Sequence, residues 1–353
     1  MRIFKIVALL ALLAIAIAFA QVFSDPTVTT IAVFTLIFAA AATGWNILGG
    51  YTGYISLGHI AYFGIGAYAM AIICQHWNVQ GGYGPFFLIP LSALIAAVIS
   101  IPIGWVALRV RRHTFIVITI AIFFVIQLLA YNLIWLTNGS TGLSLPIPVD
   151  WGGYFFNTPF YYVALALLLI AILTSWWIRN SKFGLGLLAI RDDEDRALGL
   201  GVKTGASKLT AFVIAAVFTG AAGALYAYFV ESVYPASIFD PNFDVAIVLM
   251  SFLGGTGTIS GPILGALILE PLNLYFTLQY GETGYNLIVY GALFLIVILL
   301  LPRGILPTLQ DRWIKYQARR NQYRDDEQGE DGLVVTALPR QDTGVEKKEG
   351  INL

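Results

Sequence analysis

Ten apolar stretches recur along the chain, and none contains a lysine or an arginine: residues 6–23, 28–48, 58–75, 86–107, 114–136, 160–178, 209–230, 243–253, 262–280 and 285–301. Most approach the ~20 residues a helix needs to cross ~30 Å of hydrocarbon. Lipid offers no water to a backbone amide, so a spanning segment must be a helix or part of a closed barrel. Barrel strands alternate apolar and polar side chains, whereas these runs are continuous. The pattern predicts an all-α integral membrane protein of about ten transmembrane helices (eight to ten), with the short 243–253 stretch as a candidate half-helix. Only 11% of the residues are charged, against ~25% in soluble domains. The formal net charge is zero, which points to no nucleic-acid partner.

The polar punctuation divides by sign. With the N-terminus inside and ten crossings, Arg2, Lys5, Arg109, Arg111, Arg112, Arg179, Lys182, Arg191, Arg196, Lys203, Lys208 and Arg303 all fall on the cytoplasmic side. The opposite loops then hold only acids: Asp25, Asp150, Glu231, Asp240, Asp244 and Glu282. That asymmetry is what the positive-inside rule asks for, and it puts both termini in the cytoplasm. Residues 1–310 form the membrane domain. Residues 311–353 form a polar tail without a core pattern, expected to be largely disordered. The start of the chain resembles a signal peptide, but its apolar run exceeds the usual ~7–15 residues, so a retained first span is favoured. The aromatic, Gly- and Pro-rich loop 137–159 reads as an ordered interfacial loop.

Enzymatic signatures are missing. The chain has no nucleotide-binding loop, no H-E-x-x-H and no G-x-S-x-G. Its three histidines, His59, His76 and His113, lie far apart, and its single cysteine, Cys74, sits in an apolar run. No catalytic residue, metal site or cofactor is assigned to this chain.

Four features remain. Residues 44–68 are broken by Gly44, Gly49, Gly50, Gly53, Gly58, Gly64 and Gly66. Broken helices expose backbone dipoles, and transporters use such ends to hold charged groups. Asn46, Ser56, Gly58 and His59 are therefore candidates for a translocation path; a tight interhelical turn is the plainer alternative. Residues 253–266, with Gly254 and Gly255, echo residues 48–58 and suggest an internal repeat. Glu270, mid-span, should face protein or water rather than lipid, in the path or in a helix–helix hydrogen bond. The small-residue run 219–223 reads as helix packing.

The longest polar interruption between apolar stretches is residues 179–208. Within it Leu187, Leu188, Ile190, Leu198 and Leu200 surround Glu194-x-x-Ala197-x-x-x-Gly201, the pattern of a short amphipathic helix ended by glycine. An apolar face on a polar loop seeks either a protein partner or the membrane surface.

Several motifs together carry a family resemblance. They are Gly53-Tyr-Ile-Ser-Leu-Gly-His59, Phe63-Gly-Ile-Gly-Ala-Tyr68, Gly139-Ser-Thr-Gly-Leu143, Phe183-Gly184, Ala189-Ile-Arg-Asp-Asp-Glu194, Lys208-Leu-x-Ala-Phe212, Gly220-x-x-Gly-Ala-Leu-Tyr226, Leu253 to Ala266 and Pro302-Arg-Gly304. On these the chain resembles the inner-membrane permeases of branched-chain amino acid ABC importers, of the LivM type. The resemblance implies the ABC importer permease fold. It also implies a second homologous permease subunit, two cytoplasmic ATPase subunits that bind ATP and Mg, and a periplasmic substrate-binding protein. The implied cargo is Leu, Ile, Val or related neutral amino acids; permeases for urea or short amides are the neighbouring alternative, and a stand-alone secondary transporter the remote one. Residues 184–201 match the coupling motif of ABC permeases loosely. Gly184, Arg191, Glu194, Ala197 and Gly201 are thus the expected coupling residues.

Overall fold

The computed structural model describes residues 2–23, 25–147 and 157–280, with scattered positions between 291 and 316. Most of the apolar stretch 285–301 and of the tail 311–353, residues 148–156 of the aromatic loop, and Asp150, Glu282 and Arg303 lie outside the described residues. The chain divides into two compact units, residues 1–306 and 307–353.

The described part is helical. Its elements are α1 (Arg2–Val22), α2 (Pro26–Thr52), α3 (Ile60–His76), α4 (Ile89–Ala107), α5 (Arg112–Asn132), α6 (Ile134–Thr137), α7 (Thr158–Arg179), α8 (Lys182–Asp192), α9 (Glu194–Gly199), α10 (Thr204–Val230), α11 (Pro235–Ile238), α12 (Pro241–Gly254) and α13 (Gly261–Tyr280). Six described segments are long and apolar enough to cross a membrane: Pro26–Thr52, Gly84–Ala107, Arg112–Asn132, Thr158–Arg179, Thr204–Val230 and Pro235–Gly254. Leu13–Val22 and Ile60–His76 are shorter apolar helices.

The two longest helices, α2 and α10, form the centre, and α10 packs on α2, α3 and α4. Small residues permit this closeness. A β-carbon on Gly66 would lie 2.0 Å from the Gly220 carbonyl oxygen, and one on Gly223 would lie 2.0 Å from that of Phe63. The run 219–223 is thus a packing face, as van der Waals contact between spanning helices requires.

Contacts sort the loops onto two ends. At one end Arg112 donates to the carbonyls of Ile190 and Arg191, Tyr54 donates to Glu194, and Arg191 donates to the carbonyl of Gly50. The described basic residues from Arg109 to Lys208 gather there. At the other end Asn157 bonds Thr29 and Thr30, Tyr228 bonds Gly82, and a two-residue antiparallel pairing joins Leu143 to Val233 and Ser144 to Ser232. Asp25 and Glu231 lie at this acidic end.

Two segments dip inward. After Gly53 (φ 72°) the chain is extended and turns back, so that the Ser56 carbonyl accepts from the Trp45 indole at 2.8 Å and the Leu57 amide donates to Thr119 Oγ1 at 3.1 Å. Helix α3 consequently starts inside the protein, about two turns from the basic end of α2. From the acidic end, Phe239 inserts against Gly64 and stacks on Tyr68 with ring centroids 6.1 Å apart. Helix α12 therefore also starts inside. This alters the expected place of two acids: Asp244 is buried in the first turn of α12, and Asp240 caps that helix, its Oδ1 accepting from the Asn242 amide at 2.9 Å. The Phe239 ring, anchored under α3, draws both in from the loop.

Candidate functional site

The stretch expected as one amphipathic helix is two. Ser181 caps α8 by accepting from the Gly184 amide at 3.1 Å. At Asp193 the backbone becomes extended (φ −157°, ψ 111°), and its side chain accepts from the Arg196 amide at 3.0 Å to begin α9. Asp193 followed by Glu194 and Asp195 is an N-cap with an acidic first turn, a sequence signal for a new helix. Gly201 (φ 85°) then turns the chain toward α10.

These helices turn one apolar face inward and leave another outward. Leu187, Ile190 and Ala197 are buried, and Gly184 sits so tightly that a β-carbon would lie 2.0 Å from the Ile178 carbonyl oxygen. Leu185, Leu198 and Leu200 are 64%, 60% and 83% exposed. The outer charges Arg111 and Asp195 pair loosely at 3.7 Å in solvent.

The two charges singled out in the loop point inward. Glu194 accepts from Lys208 Nζ at 2.6 Å and from the Tyr54 hydroxyl at 2.5 Å, and Lys208 also donates to the Tyr54 oxygen at 3.0 Å. The lysine side chain is only 5% exposed, so the pair is far better shielded than a surface ion pair. Burial opposes ionisation of Glu194 most strongly. Hydrogen bonds from Lys208 and Tyr54, with the charges of Lys208 and Arg112, together outweigh it and hold the carboxyl below its usual value. The Tyr54 hydroxyl is pushed up, first by burial and then by its bond to Glu194.

Arg191 reaches the two glycine-rich stretches at once. Its Nη1 donates to the Gly50 carbonyl at 2.8 Å and lies against Gly257, where a β-carbon would meet it at 2.2 Å. Arg179, whose guanidinium stands 5.6 Å from the Tyr51 ring centroid, donates to the carbonyl of Gly257. Asn46 clips the same loop from α2, giving Nδ2–H to the Thr258 carbonyl at 2.9 Å and accepting from the Gly257 amide at 2.8 Å. Gly254 and Gly255 form the turn before it; a β-carbon on Gly254 would strike the Gly261 carbonyl at 1.6 Å, and Gly255 has φ 122°. The stretches that looked alike in sequence thus touch, joined through Asn46 and held by two arginines from the loop segment.

The other path candidates sit deeper. Gly58 abuts the Thr119 carbonyl, where a β-carbon would lie 2.2 Å away. His59 is fully buried beside the rings of Tyr62 and Phe212, with centroids 5.8 and 5.6 Å away. The Ser56 carbonyl is engaged by Trp45, while its buried hydroxyl has no partner. The buried Asp244 carboxylate faces the amides of His59 and Ile60 at the start of α3 without meeting hydrogen-bond geometry. This helix terminus is therefore faced by the protein's own carboxyl group, whose charged form the helix dipole favours. Glu270 lies apart from these, 3% exposed, on a cavity toward the acidic end. Among the described residues no group of three His, Cys, Asp or Glu could hold a metal.

Sequence reasoning did not anticipate Arg112, Tyr54 or Asp244. The sequence places Arg112 and Lys208 only among the basic residues of one membrane side, although Lys208 lies directly against an apolar run, a signal of partial burial.

A family model for the permease component of branched-chain amino acid transport systems matches residues 27–298. The high-affinity branched-chain amino acid permease LivM of Escherichia coli K12 is 29% identical over 326 residues, covering 85% of this chain and 74% of LivM. LivH of Salmonella typhimurium is 27% identical over 287 residues, covering 76% and 91%. The ribose import permease RbsC of Bacillus subtilis is 30% identical over 154 residues, covering 42% and 47%. No solved structure gives a significant match. With its helices, its glycine loops and most of its length matched by one family model, this multi-pass membrane protein belongs to the permease component family of branched-chain amino acid transport systems and is of the LivM type.

Proposed function

We propose that this chain is one of two homologous permease subunits of an ATP-driven importer in a bacterial inner membrane. Its cargo is Leu, Ile, Val or a related neutral amino acid, delivered by a periplasmic binding protein. Two separate ATPase subunits bind ATP and Mg and supply the energy. The chain crosses ten times, counting α1, α3, α13 and residues 285–301, with both termini cytoplasmic; the sign division of its polar ends supports this orientation.

The observation that carries the reading is the pair α8–α9. Its outer face offers Leu185, Leu198 and Leu200 to a partner, while its inner face holds the glycine loops through Arg191 and its neighbour Arg179. ATPase closure pushes the outer face; the arginines transmit the displacement to residues 50–53 and 255–258. The inner charges therefore transmit and the outer leucines are gripped. Cargo selection between amino acids and amides belongs to the binding protein and the path.

Two variants separate these roles in the assembled transporter. Leu185→Ser/Leu198→Ser/Leu200→Ser should lose ATPase co-purification and uptake together. Arg191→Ala should keep co-purification and lose uptake at least about tenfold. Normal uptake in both would overturn the coupling role. The buried Glu270, whose Oε2 has no hydrogen-bond partner, favours a second reading, a stand-alone proton-coupled transporter. Uptake that persists after deletion of the ATPases would support it.

A further inference from the structure

Between the middle of the molecule and its acidic end lies a cavity of about 290 Å³, at the lower edge of the usual range for ligand sites. Helices α2, α10, α12 and α13 enclose it. Phe34, Phe38, Tyr226 and Phe243 form an aromatic wall. Asp240 and Glu270 supply two carboxyl groups, with Asn242, Asn273 and Thr277 as neutral polar groups, and among the described residues no lysine or arginine lines it. Glu270 is 3% exposed, and its Oε2 has no hydrogen-bond partner. Asp240 is tied through Oδ1 to the Asn242 amide, as the cap of α12.

A buried carboxyl group beside an aromatic wall, with no cation among the described residues around it, is a costly arrangement, and inside membranes such groups mark sites of passage. The complement is a cation. Aromatic faces favour an ammonium over a neutral polar group, and their bulk leaves the rest of the volume for an aliphatic side chain. We infer that this cavity is a resting site for the primary ammonium of an aliphatic amino acid, with Glu270 meeting the ammonium and the Phe34, Phe38 and Phe243 rings meeting the side chain. The Asn242 and Asn273 amides supply donors for the carboxylate of the same ligand. The inference rests on the permease reading above for the identity of the cargo; the cavity's preference for an ammonium is independent of it.

The test uses the purified full-length chain in detergent and two half-molecules of leucine. The probe 3-methylbutylamine carries the ammonium and side chain; 4-methylpentanoate carries the carboxylate and side chain. Binding is followed by calorimetry, with sodium chloride as a third ligand. The amine should bind, the acid should not, and Glu270→Gln should weaken the amine at least about tenfold. Ala246→Leu, which fills the cavity and leaves both carboxyls, should also abolish binding. No amine binding up to about 10 mM, equal binding of amine and acid, undiminished binding to Glu270→Gln, or a response to sodium in place of the amine would each overturn the inference. Amine binding lost in Glu270→Gln alongside ATPase-independent uptake would leave the site standing and remove the importer reading instead.

Discussion

A β-carbon at Gly66 would stand 2.0 Å from the carbonyl oxygen of Gly220, and neither backbone can yield without parting α3 from α10. Gly66→Ala should therefore cost about 1–3 kcal/mol, read as a lower thermal midpoint of the solubilised protein. Gly205 is the opposite case: it lies in the first turn of α10 with nothing within 4 Å of its would-be β-carbon. Gly205→Ala should raise stability by about 0.4–1 kcal/mol, mostly by restricting the unfolded chain. Both residues look alike in the sequence, as single glycines in apolar or small-residue surroundings. What separates them is a neighbour more than 150 positions away, which local pattern does not encode. The same distance hid Tyr54, whose bond to Glu194 spans 140 residues. The inward turn of Arg191 was equally illegible, because a charge in a polar loop gives no sign of which face it takes.

At the scale of elements, α8 and α9 are held to the bundle by charge as well as by buried leucine and isoleucine. The Glu194 carboxyl is held below its usual value when folded. Its interactions therefore stabilise the protein fully above the unfolded value, about 4.3. That contribution is lost as pH falls through the lower, folded value. Comparing thermal midpoints of the native chain and Glu194→Gln should show a constant difference from about pH 8 to 5, shrinking below about pH 4.3. A difference that changes between pH 6 and 8 would show that another group governs the clasp. Element existence was largely readable: the described apolar runs near 20 residues are helices, because the hydrocarbon thickness sets their length. Element starts were less so. Helices α3 and α12 begin inside since Trp45, Thr119 and Phe239 draw the preceding chain inward, a tertiary effect outside any hydropathy window.

For the whole molecule, contacts place the described basic loops together at one end, where charge counting had put them on one side of a membrane. Which side is a chemical question. In a background lacking Cys74, Asp195→Cys should react with an impermeant maleimide only from the cytoplasmic face, and Thr141→Cys only from outside. Both side chains are exposed at opposite ends. Reversed labelling would invert the proposed orientation.

The inward start of α12 has an electrical consequence. Its 14 residues reach about 21 Å, about 9 Å less than a hydrocarbon core. The shortfall lies on the acidic side, where the Glu270 cavity opens. Were water to fill that recess, the transmembrane voltage would fall across the remaining protein instead of the full bilayer. A charge arriving at Glu270 would then have crossed little of a field worth about 2.3 kcal/mol per charge per 100 mV. Arrival from the acidic side would then be electrically quiet, and any voltage dependence would belong to the later passage toward the glycine loops.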